Sequence, residues 1–413
     1  MKLLKSIISI CGVLSIFASF VVGCQINSST DAVQPSSTVN ISETAKISSS
    51  TPILPPIITE NQHNFPSPSP SISTQSPNIS IQKSLLSYIS EGWLNLHMPS
   101  PYFGPFIFYI DYERIRDAEH LGAINSSYSP EEKRAYQSMI DKSTQGIEMF
   151  PASHSPIQEP MFYEKWGWDI TDISQALYLP DFEILLMRGT FDIHLMQNKL
   201  AERGMHKIQE EGFVIYEQPA LFYAFVSDVV VVGTNKISDP TMFITSMKMF
   251  HDQGTSSLAD HPFIQDAYNA DNQPWGLVLM PSPDISLLNT PPPAPPDLIE
   301  KWNDLFGGFT PIQQPGWDIM TASFEGDGNR TLLRFSYNYE NPQTASKNLE
   351  DIRKILTESP SFFILGRKWS DFMTLERIVT VDDSIVAEAV TSMPGLLGQA
   401  IMSNDTGPFQ AIK

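Results

Sequence analysis

Apolar and polar residues recur along this chain with two periods, and each period predicts an element. The most legible stretch begins at Ile184. Ile184 to Arg188 is a short apolar run and reads as a strand. Asp192 then stands in an N-cap position, ahead of Ile193, Met196 and Leu200 at i, i+3 and i+7, and Gly204 supplies the stop. Phe213 to Tyr216 reads as a further strand, and the apolar, β-branched run Leu221 to Gly233 is expected to fold back at Ser227-Asp228. Asp239-Pro240 opens a helix with Phe243, Met247 and Phe250 on one face and Gly254 as its end, and Trp275 to Met280 returns as a strand. Strand, helix, strands, helix, strand is the order of a split β-α-β layout with an antiparallel sheet.

Upstream the pattern is sparser. Phe103 to Ile110 has the continuous apolar character of a buried strand. Ser129-Pro130-Glu131-Glu132 is a helix start, with Ser129 as cap, Pro130 at the first helical position and Glu132 closing a capping box. An aromatic cluster runs from Met161 to Trp168, after which Asp169 caps a short helix through Ile170 and Ile173. Downstream, Pro291 to Pro296 forces extended polyproline, and Asp297 opens an amphipathic helix with Leu298, Trp302 and Leu305 on one face and Gly307-Gly308 as its end. The last stretch holds a hairpin, Asp318 to Glu325 and Thr331 to Tyr339, turned by Asp327-Gly328. A helix from Asn341-Pro342 follows, with Ala345, Leu349, Ile352 and Leu356 on one face. A second hairpin, Leu375 to Val381 and Ile385 to Val390, turns at Asp382-Asp383. The fold class expected is α+β, antiparallel sheets with packed helices, in two lobes at residues 82–290 and 291–413. Gly167-Trp168-Asp169-Ile170 recurs as Gly316-Trp317-Asp318-Ile319, one of two hints of an internal duplication; the other is a strand, a capping residue with proline and an amphipathic helix in each lobe.

The first 81 residues follow neither period. Lys2 and Lys5 precede an apolar stretch from Ile7 to Val22, the charged and apolar regions of an export signal. It ends in Val21-Val22-Gly23-Cys24, which resembles the lipobox of bacterial lipoprotein precursors. The resemblance implies that residues 1–23 are removed, that Cys24 carries lipid and that the mature chain starts there. It also implies a place at the extracytoplasmic face of a cell membrane. From Gln25 to about Ile81 the composition is Ser, Thr, Pro, Asn and Ile with few charges, which buries too little apolar surface to offset chain entropy; residues 24–81 are therefore read as a lipidated cysteine and a disordered tether. Such a coil spans roughly 40 Å on average and about 180 Å at full extension. Cys11 leaves with the signal, so Cys24 is the one cysteine of the mature chain and no intramolecular disulfide forms. Losing Lys2 and Lys5 takes the net charge from −20 to −22, which disfavours nucleic acid and direct adhesion to anionic lipid.

The chain also resembles bacterial lipoproteins of unknown function in which a lipid anchor and a low-complexity tether carry α+β lobes with a strand-RG-x-F-D-helix element. Here that element is Met187-Arg188-Gly189-Thr190-Phe191-Asp192, and the likeness covers about Trp166 to Trp275. It implies no activity.

Catalytic motifs fare poorly. Ser80-Ile81-Gln82-Lys83 has the S-x-x-K spacing of penicillin-binding enzymes, but it lies at the end of the tether and no S-D-N or K-T-G follows. G-x-S-x-G, G-x-G-x-x-G, the P-loop and H-E-x-x-H are absent from the sequence. His194, His206 and His251 are scattered: a helix's polar side, the residue after a helix stop, and a last helical turn. Asp169 and Asp172 form a carboxylate pair that helix capping explains. Asn269-Ala270-Asp271-Asn272 starts like a calcium loop, but Pro274 and Met280 stand where glycine and glutamate are required. Among the tryptophans Trp166, Trp168, Trp302, Trp317 and Trp369, the pair Trp166 and Trp168 are the candidates for lining a groove, against core packing. No catalytic, metal or cofactor residues are assigned. The expectation is an envelope lipoprotein acting as a non-catalytic binding or assembly module, whose partners are membrane lipid through Cys24 and an envelope protein or small ligand. A solute-binding lipoprotein and a hydrolase without a local motif are the alternatives.

Overall fold

The computed structural model describes residues 81–95, 107–119, 128–144, 150, 154–156, 161–180, 182–234, 240–251, 256–269, 274–281, 316–327, 330–361 and 367–395. Its spine is one antiparallel sheet. Along the chain the strands are β1 (Ile107–Asp111), β2 (Ile173–Leu179), β3 (Ile184–Gly189), β4 (His206–Glu210), β5 (Phe213–Gln218), β6 (Leu221–Val226), β7 (Val229–Thr234) and β8 (Gly276–Pro281). Then come β9 (Ile319–Asp327), β10 (Arg330–Asn338), the short pair β11 (Pro360–Ser361) and β12 (Arg367–Lys368), β13 (Thr374–Val381) and β14 (Ser384–Thr391). Twelve of these join edge to edge in the order β13-β14-β10-β9-β8-β1-β2-β3-β7-β6-β5-β4, while β11 and β12 pair apart. The helices are α1 (Tyr112–Ala118), α2 (Pro130–Thr144), α3 (Phe162–Trp166), α4 (Ile193–Glu202), α5 (Pro240–His251), α6 (Pro262–Tyr268) and α7 (Pro342–Glu358). The fold is α+β. The two lobes expected from the sequence meet where β8 pairs with β9, Leu277 opposite Ser323, so a single sheet runs through both.

The sheet repeats its own wiring. Reading outward from the central β1–β8 pair, one half runs β1-β2-β3-β7-β6 and the other β8-β9-β10-β14-β13. In each half the helix, α4 or α7, leaves the third strand of that order and starts on a side-chain cap: Asp192 accepts from Leu195 N–H, Asn341 from Thr344 N–H. The Gly-Trp-Asp-Ile repeat precedes the second strand in each half, offset locally. Ile319 already opens β9, whereas Ile170 begins a 3-10 turn, Ile170–Asp172, and β2 opens at Ile173. The short helix expected to run through Ile173 thus ends one residue earlier, because Asp172 closes its capping box and Ile173 joins the sheet.

Strand alternation explains why the halves read differently in sequence. Phe108 and Ile110 of β1 point into one core and Ile107 and Tyr109 into another, and β3, β6, β7 and β8 divide in the same way. These strands are covered on both faces, hence the unbroken run Val229 to Val232. In β10 and β14 the fully buried apolar residues (Leu333, Phe335, Tyr337, Ile385, Ala387, Ala389) all belong to the first core, against which α7 packs Ala345, Ile352, Ile355 and Leu356. The second core is closed by α5, α6 and the segment Ile81–Asn95, built from three 3-10 turns that bury Ile81, Leu85, Leu86, Ile89 and Trp93.

The predicted capping box at α2 is present in both directions: Ser129 N–H donates to Glu132 Oε2 at 2.8 Å and Glu132 N–H to Ser129 Oγ at 3.3 Å. β6 and β7 fold back at Ser227, β9 pairs with β10, and β13 turns into β14 at Asp382. The sequence pattern does not announce β2, β4, α1 or α6. The polyproline run Pro291–Pro296 and the helix expected from Asp297, with Trp302, lie outside the described residues. Among the described residues no helix is long and apolar enough to cross a membrane.

Candidate functional site

The two groove candidates are brought together, inside the core. Trp166 ends α3 and is 3 % exposed; Trp168 follows Gly167 and is fully buried. Burial puts both into core packing, the reading favoured for them, and neither lines a groove. The physical reason is the company they keep. Phe162 stands edge-on to Trp168 with ring centroids 4.7 Å apart, and Trp166 stacks with Tyr223 of β6 at 5.9 Å. Arg203, which follows α4, places its guanidinium 4.1 Å from the Trp166 ring centre. Edge-to-face and stacked contacts of this kind stabilise by about 0.5–1.5 kcal/mol each beyond area burial. Trp317 and Trp369 are likewise buried.

These rings form an aromatic box, and it holds one residue that the sequence pattern does not single out. His154 is buried, edge-on to Trp166 at 4.5 Å, and its Nε2 is hydrogen-bonded to the Tyr223 hydroxyl. Trp168 Nε1 donates to the same hydroxyl at 3.2 Å. An indole N–H only donates, so the Tyr223 oxygen accepts from Trp168 and joins both rings at one polar point inside the core. Nothing local announces His154: Ser153-His154-Ser155-Pro156 has no apolar period.

Beside the box, the Asp169–Asp172 pair acts as a structural lock. Asp169 accepts from Thr171 N–H at 2.8 Å, and Asp172 Oδ2 accepts from Asp169 N–H at 2.9 Å. Lys133 of α2 pairs with Asp169 at 2.7 Å, which ties that helix to the aromatic segment. Burial pushes the Asp172 carboxyl up to about 6; the Asp169 charge adds to this, while the Asp169 N–H and Lys133 oppose it. Across the turn, Gly189 closes against Asp172. A Cβ on Gly189 would sit 1.8 Å from the Asp172 carbonyl oxygen, which accepts Thr190 N–H at 2.8 Å. That contact is the physical content of the Arg188-Gly189 element.

Arg188 supplies the other part. It pairs with Asp228 of the β6–β7 turn at 2.8 Å, donates to the Lys83 carbonyl, and lies 5.1 Å from the Tyr88 ring centre; Tyr88 donates to Asp228 at 2.7 Å. Burial raises the Asp228 carboxyl, but Tyr88 and Arg188 together outweigh it and hold it below its ordinary range. This clasp fixes the segment that begins at Ile81. Lys83 itself is exposed at the end of a 3-10 turn; Ser80 lies outside the described residues.

A second buried polar group sits at the sheet centre. Asp111 ends β1 with no exposure, caps α1 through Arg114 N–H at 3.1 Å and accepts the Tyr109 hydroxyl at 3.1 Å. Burial raises its carboxyl, and the Arg114 guanidinium, 3.6 Å away, opposes this. Arg114 also donates to the Pro274 carbonyl at 2.7 Å and stacks on Tyr268. Each of these groups is engaged in holding an element end.

The histidines singled out in the sequence are dispersed: His194 is exposed on α4, His206 opens β4, and His251 ends α5. Asn269 follows α6, while residues 270–273 of the calcium-like stretch lie outside the described residues, as does Cys24. Among the described residues no group of three or more His, Cys, Asp or Glu is placed to hold a metal ion.

Neither a protein-family model nor a curated protein matches this chain. Among solved structures, it is similar to the one described as "Structure of crystal form I of TP0453", with a TM-score of 0.38 and 10 % identity over 75 % of this chain and 97 % of that one. Crystal forms III and IV of TP0453 give TM-scores of 0.35 and 0.33 at 11 % identity, covering 73 % and 76 % of this chain and 95 % and 99 % of theirs. Likeness at this level carries no argument about activity.

Proposed function

We propose that this protein is an envelope lipoprotein, acylated at Cys24 on the extracytoplasmic face of a cell membrane, that displays a non-catalytic α+β body at the end of a Ser/Thr/Pro-rich tether. The observation that carries the reading is the run Val21-Val22-Gly23-Cys24 at the end of a mildly apolar stretch behind Lys2 and Lys5. The body is compatible with display. Its start, Ile81–Asn95, is fastened to the sheet through Gln175 and Arg188 and to the loop at Ser256, so a tether entering at Ile81 has a fixed point of attachment. The polar groups that a catalytic reading would use, Asp169, Asp172 and Asp111, are spent on caps and ion pairs. A solute-binding protein of the two-lobed kind has parallel sheets in each lobe, whereas every pair of described strands here is antiparallel. The partners on this reading are membrane lipid through Cys24 and an envelope protein or small ligand.

The anchor is tested by replacing Cys24 with Ala and following fatty-acid incorporation and membrane retention in cells. The reading expects both to be lost. Unchanged labelling and retention would remove it.

A further inference from the structure

We propose that the edge strand β4 is a pairing surface for a second copy of this protein, the two copies joining β4 to β4 in antiparallel register about Ile208. Among the described strands β4 has one neighbour, β5, and it ends the twelve-stranded order. β4 and β5 are also what the first half possesses beyond the repeated wiring, since the second half stops at β13. His206, Lys207, Gln209 and Glu210 are exposed and Ile208 is half-buried.

The geometry selects the register. Glu211 and Gly212 form a two-residue turn with φ of 51° and 89°, the left-handed pair of a type I′ hairpin. In such a hairpin the closing pair, Glu210 with Phe213, is the hydrogen-bonded kind, and the kinds alternate along the ladder. Glu210, Ile208 and His206 therefore bond to β5, and the N–H and C=O groups of Lys207 and Gln209 point outward. An antiparallel copy centred on Ile208 sets Lys207 opposite Gln209 twice over, which forms four backbone hydrogen bonds. Ile208 meets Ile208 as a close, non-hydrogen-bonded pair, and His206 faces Glu210 at both ends. No like charges stand opposite one another. Lys207 does not guard the edge, for its ammonium turns back over Tyr216 at 5.7 Å. The opposite edge is of the protected kind: β13 has a register shift between Leu375 and Arg377 and carries the exposed ion pairs Arg330–Glu376 (2.7 Å) and Arg377–Glu388 (3.9 Å).

Five paired residues bury well under the roughly 1,200 Å² of a stable interface, so the pair is weak in dilute solution. Two bodies anchored to one membrane are confined to the thin layer that their tethers reach, which raises their local concentration over that of free chains, and there the pair forms. This last step rests on the tethered reading above.

The test uses the full mature chain, acylated and reconstituted in phosphatidylethanolamine–phosphatidylglycerol vesicles, with intermolecular disulfides read under mild oxidation. Ile208→Cys is expected to cross-link about tenfold faster than Glu376→Cys on the other edge. A mixture of His206→Cys and Glu210→Cys chains is expected to form the mixed dimer in preference to either homodimer. Adding Glu210→Lys to Ile208→Cys is expected to slow it to the rate of the Glu376→Cys control. The same Ile208→Cys comparison is run on the unanchored Cys24→Ser chain at about 1 mM. Cross-linking there but not in vesicles supports the pairing and sinks the tethered reading. Ile208→Cys no faster than Glu376→Cys in both settings overturns the pairing, and so does a His206→Cys/Glu210→Cys mixture without preference for the mixed dimer.

Discussion

Gly189 and Asp172 sit against each other with no room between them, and both give sharp tests. Gly189→Ala places a methyl 1.8 Å from a backbone oxygen, so β2 and β3 must separate locally. The expected loss is about 3 kcal/mol, the upper end for overpacking, read as a fall in the urea midpoint at constant slope. Asp172 gives a pH signature. Its carboxyl titrates at about 6 in the fold against an ordinary value of 3.8, so the folded protein holds that proton more tightly than the unfolded chain does. The Asp172 contribution is therefore fully present below about pH 4 and is lost as pH rises through about 6, about 3 kcal/mol in all. Asp172→Asn keeps an oxygen for the Asp169 N–H and removes the charge. It is expected to raise stability at pH 8 and to flatten the dependence between pH 4 and 7, measured by urea unfolding across that range. At this scale the sequence announces side chains that act on neighbours, such as Asp169 and Asp192 as caps. His154 and Tyr223 are 69 residues apart and meet only because β6 and the loop before α3 share the first core, a relation no spacing encodes.

Elements were legible where a capping residue punctuates them. Ser129 with Glu132, Asp192 and Asn341 mark helix starts that the structure reproduces with side-chain hydrogen bonds. Asn341→Ala is expected to cost about 1 kcal/mol, read from thermal unfolding. β4 escaped notice because four of its five residues are exposed and only Ile208 is half-buried, so His206-Lys207-Ile208-Gln209-Glu210 has no apolar alternation. α1 begins one residue after β1 ends, with Asp111 serving as the last residue of one and the cap of the other, so no turn residues separate them. The clasp around Arg188 is also an element-scale device. Arg188→Ala removes an ion pair with a part-exposed carboxylate and a charged hydrogen bond to Lys83, worth about 1–2 kcal/mol together. That loss is expected to fall on Ile81–Asn95. Faster hydrogen exchange at Leu85, whose N–H is bound to Gln175 Oε1, with little change at Val230 in β7, is the outcome that places it there.

Across the whole molecule, the consequence of β8 pairing with both β1 and β9 is that neither half closes its own sheet. The chain is expected to unfold in one transition, with far-ultraviolet dichroism and tryptophan fluorescence superimposing on heating; two separated transitions would mean that the lobes at 82–290 and 291–413 are independent. The α+β class was readable from hairpins and amphipathic helices, while the joining of the halves was not, because pairing between distant strands leaves no mark on local periodicity. The repeated wiring places the helices and the outer hairpins of both halves by one rule, which makes the added β4–β5 hairpin conspicuous. A mechanical consequence belongs to the segment that starts at Ile81. It rests on β2 and β3, strands in the interior of the twelve, with β7, β6 and β5 standing between β3 and the β4 edge. A load arriving there cannot peel the sheet one strand at a time from its rim. It must shear several hydrogen bonds and the buried Leu85, Leu86 and Ile89 together, so drag on the body is borne as a shared stress rather than as an unzipping force.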